Sequence, residues 1–162
     1  EDGLLILASD GTLASAIARG AEVLPVDYRA RVLRPRDDAP WPELPLEIDV
    51  EGEPVRFTAV ERVDGAGTNV WFRVTADRPL RRGAIRALFD GAGLKLSRVM
   101  LVQWGPVSLP RDLPRGRSRE LKGADRQQLR TLPYPFVRGG IWQPILPPRR
   151  RPSGSSRNRR GW

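Results

Sequence analysis

Residues 71–110 read WFRVTADRPLRRGAIRALFDGAGLKLSRVMLVQWGPVSLP. Val70, Phe72 and Val74 alternate with Trp71, Arg73 and Thr75, the period of a half-buried strand. Leu80, Ala84, Ile85, Leu88 and Phe89 then recur at helical spacing, so a helix is expected over 80–92, closed by Gly91 and Gly93. Gly83 inside that span costs about 1 kcal/mol relative to Ala, which leaves the start of the helix open. Leu96 to Trp104 reads as a second strand, stopped by Gly105-Pro106. The basic residues Arg78, Arg81, Arg82, Arg86, Lys95 and Arg98 lie beside apolar residues that can fix them in place. Arg82 and Arg86, at i and i+4, should share a helix face, with only Asp90 at a spacing that could neutralise either. A solvated charged face is the ordinary meaning of such a pair. The added Lys95 and Arg98 favour a polyanion-binding groove.

Working toward the N-terminus, Asp27 to Leu33 alternates with Tyr28, Ala30 and Val32 on one face and Arg29 and Arg31 on the other, another half-buried strand. Tyr28 on its apolar face is by itself an ordinary core aromatic. It could stack on a base only if it faced the same cleft as Arg86. Leu46–Val50 and Val55–Val63 read as strands joined by Glu51-Gly52-Glu53, and Asp64–Thr68 as a loop. Residues 3–8 read as a buried strand ended by Ser9-Asp10-Gly11, and Thr12–Arg19 as a short helix. Asp10 is expected to serve its turn. Asp2, close to the chain end, supports no assignment. Past Trp104, Ser118–Leu121 could form a short strand and Ala124–Leu129 a small helix. From Pro133 onward, six prolines, Gly139-Gly140 and a Ser/Arg/Gly run forbid a packed element. Residues 133–162 therefore read as a disordered basic tail, serving either as a solubilising segment or as an auxiliary RNA contact.

The chain of 162 residues contains neither Cys nor His. Thiolate zinc sites, disulfides, His-based triads and the usual metal clusters are thereby excluded, and acid–base or nucleophilic work falls to Asp, Glu, Tyr, Lys, Ser or Thr. The longest apolar run, Leu4 to Ala8, is far below the ~20 residues a membrane span needs, and the cytoplasm is the expected compartment. The single Met, Met100, and an apolar run opening at residue 3 suggest a fragment cut inside a domain. The net charge of +9 is uneven: residues 1–77 hold 8 Arg against 15 acids, residues 78–119 hold 10 basic against 2 acidic residues, and residues 126–162 hold 9 Arg and no acid. A polarised core points to a charged site, and a basic end to salt-sensitive contact with a polyanion.

Three ordered blocks resemble a known family. EDGLLILASDGTLASAI (1–17) resembles the TEGLLLLTNDGxLA segment of bacterial ribosomal RNA pseudouridine synthases of the RsuA type. DYRARV (27–32) is similar to their KxYRVRV strand, and residues 81–121 resemble their GRNRQVRRMFEALG…GPxxL…REL block. The resemblance implies an α+β fold over residues 1–132: a mixed, mainly antiparallel sheet with short flanking helices around an RNA-binding cleft. It implies isomerisation of a uridine in ribosomal RNA, in the large-subunit-like subgroup, without cofactor or metal; a monomer is the default expectation. The target base would be flipped into the pocket. By position, Tyr28 matches the motif Tyr that stacks on the base and assists proton transfer. Arg86 matches the Arg that holds the nucleophilic Asp ionised. Arg81 matches an Arg that would contact phosphate, and Arg82, Lys95 and Arg98 would add RNA contacts. The nucleophilic Asp itself belongs five positions before Gly3, outside this chain, so the fragment alone should be inactive. The sequence departs from the pattern at Val26, Ala84 and Ala87, where the family has Lys, Gln and Arg, and holds one extra residue between Thr75 and Arg81. A non-catalytic RNA-binding or ribosome-assembly module would keep the basic residues and need no upstream Asp.

Overall fold

Alternating apolar residues bury one face of two central strands, and those faces build the centre of the molecule. In the computed structural model, which describes residues 2–34, 40–64 and 67–131, β2 (Val26–Leu33) buries Val26, Tyr28, Ala30 and Val32. β6 (Asn69–Ala76) buries Val70, Phe72, Val74 and Ala76 against it. Of the other strands, β1 is Asp2–Gly3, β3 Glu47–Val50, β4 Glu53–Arg56, β5 Ala59–Asp64, β7 Leu96–Trp104 and β8 Val107–Ser108. The main sheet runs β1-β7-β2-β6-β5, with β8 beside β7. Its β1–β7 pair is parallel and its other pairs antiparallel, so the sheet is mixed and mainly antiparallel. β3 and β4 form a separate hairpin. Glu51 (φ 57) and Gly52 (φ 82) are both left-handed at its tip, as a two-residue hairpin turn prefers.

Helix α1 (Gly11–Gly20) starts at Asp10, whose Oδ1 accepts from the amides of Thr12 (2.8 Å) and Leu13 (3.2 Å). Those two amides, with Arg130, hold the Asp10 carboxyl below the usual carboxylate range. Asp10 thus serves the turn, as its place before Gly11 suggested. Helix α2 (Ala84–Gly91) buries Ala84, Ile85, Leu88 and Phe89, and Phe89 meets Phe72 of the sheet edge-on at 5.2 Å. Helix α3 (Gly123–Thr131) packs on α1, and Arg130 bonds Asp10 at 2.8 Å.

Several expectations need correction. The run at residues 3–8 is not a buried strand. Only Asp2–Gly3 pairs, and the ladder to β7 ends with the Leu4 amide donating to the Leu101 carbonyl at 2.9 Å. Leu4, Ile6 and Ala8 pack on the core while Leu5 and Leu7 are 78% and 81% exposed. An edge segment has one covered side, yet its uniformly apolar sequence mimics a strand covered on both. The expected Val55–Val63 strand is two strands. The Phe57 amide donates to Leu46 of the hairpin (2.8 Å) and the Thr58 amide to Thr75 of β6 (2.7 Å), so the chain changes sheets there. The helix expected over 80–92 begins only at Ala84, because Gly83 adopts a left-handed φ of 87° at its cap. Arg82 consequently precedes the helix, and the shared helix face expected for Arg82 and Arg86 does not form. Ser118–Leu121 is irregular, with Arg119 turned to Asp112 and Glu120 to Arg126 instead of pairing with a strand. The basic tail at 133–162 lies outside the described residues.

Gly3 allows the close approach of β1 to β7: its φ is 126°, and a Cβ would overlap the Leu101 carbonyl oxygen and lie 2.6 Å from the Leu101 amide nitrogen. Gly3→Ala should therefore detach the first residues from the sheet. Hydrogen exchange should show lost protection at the Leu4 amide, with protection at β2 retained.

Candidate functional site

Tyr28 sits between Val74 of β6 and Leu101 of β7, and its side chain points to the face of the sheet that carries α2. It is 8% exposed, and its hydroxyl accepts from the Leu80 amide at 3.4 Å. Leu80 opens the lead-in to α2, so this hydroxyl ties the central strand to the segment that delivers the basic residues. From that helix the side chains of positions 84, 85, 88 and 89 turn inward, which leaves Arg86 and Asp90 exposed. The helical period alone thus fixes Arg86 on the open side of α2.

The two residues preceding the helix behave differently. Arg82 is exposed. Arg81 reaches the hairpin: one guanidinium nitrogen donates to the Val50 carbonyl (2.9 Å) and to Glu53 (3.0 Å), the other to Glu51 (2.5 Å). Its side chain is two-thirds covered, and it fastens the β3–β4 turn to the start of α2. Among the described residues, Arg82, Arg86 and Lys95 form no ion pair, Asp90 included. Lys95 lies exposed in the link between α2 and β7, where its carbonyl accepts from the Leu33 amide at 2.9 Å.

Arg98 stands apart. It opposes Arg31 across the β2–β7 ladder, and Arg31 alternates with Tyr28 along β2, so Arg98 lies on the other face of the sheet. It donates to Asp2 at 2.6 Å, and Arg115 donates to the same oxygen. Together Arg98 and Arg115 hold the Asp2 carboxyl below the usual range against the opposing effect of desolvation. The structure thus ties Tyr28 to the lead-in to α2 through Leu80, turns Arg81 to the hairpin, leaves Arg82 and Arg86 exposed before and on that helix, puts Lys95 past its far end, and separates Arg98. Asp2 and Arg115 escaped the sequence reading because their partners are 96 and 113 residues distant in the chain. Among the described residues no group of three or more acidic, His or Cys side chains could hold a metal ion.

An exposed guanidinium with no ion-pair partner among the described residues, as at Arg86, suits recognition of an anion. A carboxylate or a phosphate would meet Arg86 without having to displace a partner.

No family model matches the sequence. Over 130 residues, 80% of its length, the chain is 33% identical to proteins called ribosomal large subunit pseudouridine synthase B in Shigella flexneri and Escherichia coli strain K12. A protein of the same name in Xanthomonas campestris pv. campestris is 34% identical over 124 residues, 74% of the chain. The chain spans 44% of the length of the first two and 25% of the third.

Proposed function

We infer that this chain, a member of the RsuA-type family of ribosomal RNA pseudouridine synthases, carries part of the catalytic domain of an enzyme that isomerises a uridine in large-subunit ribosomal RNA. The observation that carries this reading is Arg86, presented on the open side of α2 with no carboxylate partner among the described residues, at the position of the motif arginine. In the whole protein it binds and orients the nucleophilic Asp, placed by the motif five positions before Gly3. A guanidinium held against that carboxylate keeps it ionised and fit to attack. Tyr28 stacks on the flipped base and relays a proton through its hydroxyl. Arg82 and Lys95 draw the RNA backbone, and Arg81, paired with Glu51 and Glu53, fastens the hairpin beside them. Residues 1–132 form the catalytic part. No helix among the described residues is long and apolar enough to cross a membrane. In this reading the protein works as a monomer on RNA in the cytoplasm.

The decisive test is uridine conversion by the full-length protein on large-subunit ribosomal RNA, read by carbodiimide-dependent primer extension, together with the residue five places before Gly3. Pseudouridine formation that depends on an Asp there supports the enzyme. Tight RNA binding with no conversion supports a binding module instead.

Tyr28→Phe separates the two roles given to the tyrosine. Phe keeps the ring and forgoes a hydrogen bond that is long at 3.4 Å, so the fold should persist. Loss of the proton relay should slow turnover about 100-fold or more. Full single-turnover activity in that variant would leave the ring alone as the contribution.

A further inference from the structure

The main sheet has a second face, away from Tyr28 and α2. β2 places Asp27, Arg29 and Arg31 there, β6 places Trp71, Arg73 and Thr75, and β7 places Arg98 and Met100. Register puts like charges directly opposite twice: Arg29 against Arg73, and Arg31 against Arg98. Cross-strand like-charge pairs destabilise a sheet. Asp2 offsets the second pair. The first is relieved only in part: Glu61 of β5 stands opposite Arg73 in register on this face, but neither Arg29 nor Arg73 forms an ion pair among the described residues, and Asp27 accepts from the Thr75 hydroxyl at 2.7 Å.

The guanidiniums are also held in place. Trp71 lies half-buried with Arg29 over its ring at 5.4 Å and Arg31 at 6.0 Å. Arg31 Nε donates to the Ser97 hydroxyl at 2.9 Å, and that hydroxyl donates back to the Arg31 carbonyl at 2.9 Å. Stacked, bonded arginines have little rotamer freedom left to lose when an anion arrives. Arg29 and Arg31, two residues apart on one strand, stand about 6.6 Å from each other. Arg73 extends the row across the sheet and is exposed. A row of pre-set forks at Arg29, Arg31 and Arg73, which outnumber Asp27 and Glu61 on the same face, complements a chain of phosphates.

We propose that this face is a second RNA-contacting surface, on which Arg29, Arg31 and Arg73 grip the phosphate backbone of ribosomal RNA outside the segment that enters the Tyr28 site. It rests on the RNA-handling reading above but uses none of the residues placed in that site.

The test is RNA affinity against salt, using full-length protein and a labelled stem-loop of large-subunit ribosomal RNA between 50 and 200 mM KCl. For the variant carrying Arg29→Gln, Arg31→Gln and Arg73→Gln, the slope of log K against log salt should fall by about 2 to 3, at roughly 0.7–0.9 for each lost phosphate contact. The variant with Lys at all three positions should keep most of the slope. If the triple Gln variant fails to fold, Arg73→Gln alone, at an exposed position, should lower the slope by about 1. An unchanged slope in the folded Gln variant overturns the proposal. So does equal loss in the Lys variant, or a defect confined to binding an acidic protein. The readout is binding, so absence of pseudouridine formation by the parent protein would sink the enzymatic reading and leave this test intact.

Discussion

Arg86→Ala in the full-length protein should reduce uridine conversion by about 1,000-fold or more while leaving the unfolding midpoint within experimental scatter. The two halves of that expectation have separate causes. Arg86 is exposed on α2 and, among the described residues, forms no ion pair, so truncating it breaks no contact that supports the fold. Exposed substitutions of this kind usually change stability by less than about 0.5 kcal/mol. Its proposed work is electrostatic: to keep a nucleophilic carboxylate charged and aimed. Removing one aimed charge or donor from a reacting centre commonly costs 100- to 1,000-fold, and here the nucleophile would lose its orientation as well. Arg86→Lys supplies the control. It keeps the charge but not the planar fork, so partial recovery of turnover is expected. Single-turnover assays at saturating RNA separate this from weakened binding. Wild-type turnover in Arg86→Ala would remove Arg86 from the reaction and, with it, the main support for the site.

The strands at the centre could be read from the chain because each is covered on one face only. Val70, Phe72 and Val74 alternate with polar neighbours, and the burial follows that period. The same rule marked Tyr28 as inward and Arg29 and Arg31 as outward. It failed where apolar sequence and one-sided cover coincide, at Leu5 and Leu7 on the sheet edge. It also failed at Leu80, whose apolar character continues the stripe of α2 although the left-handed Gly83 stands between them. The site divides in the same way. Arg86 was legible because helical period alone exposes it. The engagement of Arg81 was not, since Glu51 and Glu53 reach it only through the register of a hairpin some 30 residues upstream. Nor could sequence spacing place Arg98 on the opposite face from Tyr28. That depends on the β2–β7 pairing, which has irregularities at Asp27/Tyr28 and Arg31/Val32.

Phe89→Ala should destabilise the protein by about 3–5 kcal/mol, the usual cost of emptying a fully buried phenylalanine site. Phe89 is 0% exposed, among the largest completely buried side chains described, and its ring meets Phe72 edge-on. Phe72 in turn packs on Trp41 at 5.5 Å, so one ring links helix α2, the sheet and the segment before the β3–β4 hairpin. The backbone at Phe89 also closes the helix, its carbonyl accepting from the amides of Ala92 (3.1 Å) and Leu94 (2.9 Å). A domain is stable by about 5–15 kcal/mol, so this single truncation removes a large fraction of the total. Urea unfolding should show the midpoint falling with the slope unchanged, the mark of lost native-state packing. Phe89→Leu keeps most of the volume and should cost less than about 1.5 kcal/mol. The pair of variants also tests how Arg86 is positioned. Both residues ride on a helix of eight residues, too short to persist without its packing. Turnover at a temperature where both variants remain folded should therefore fall in Phe89→Ala and stay near the parent value in Phe89→Leu. Equal turnover in the two would mean that Arg86 is held by the lead-in at Leu80 and Arg81 rather than by the buried face of α2.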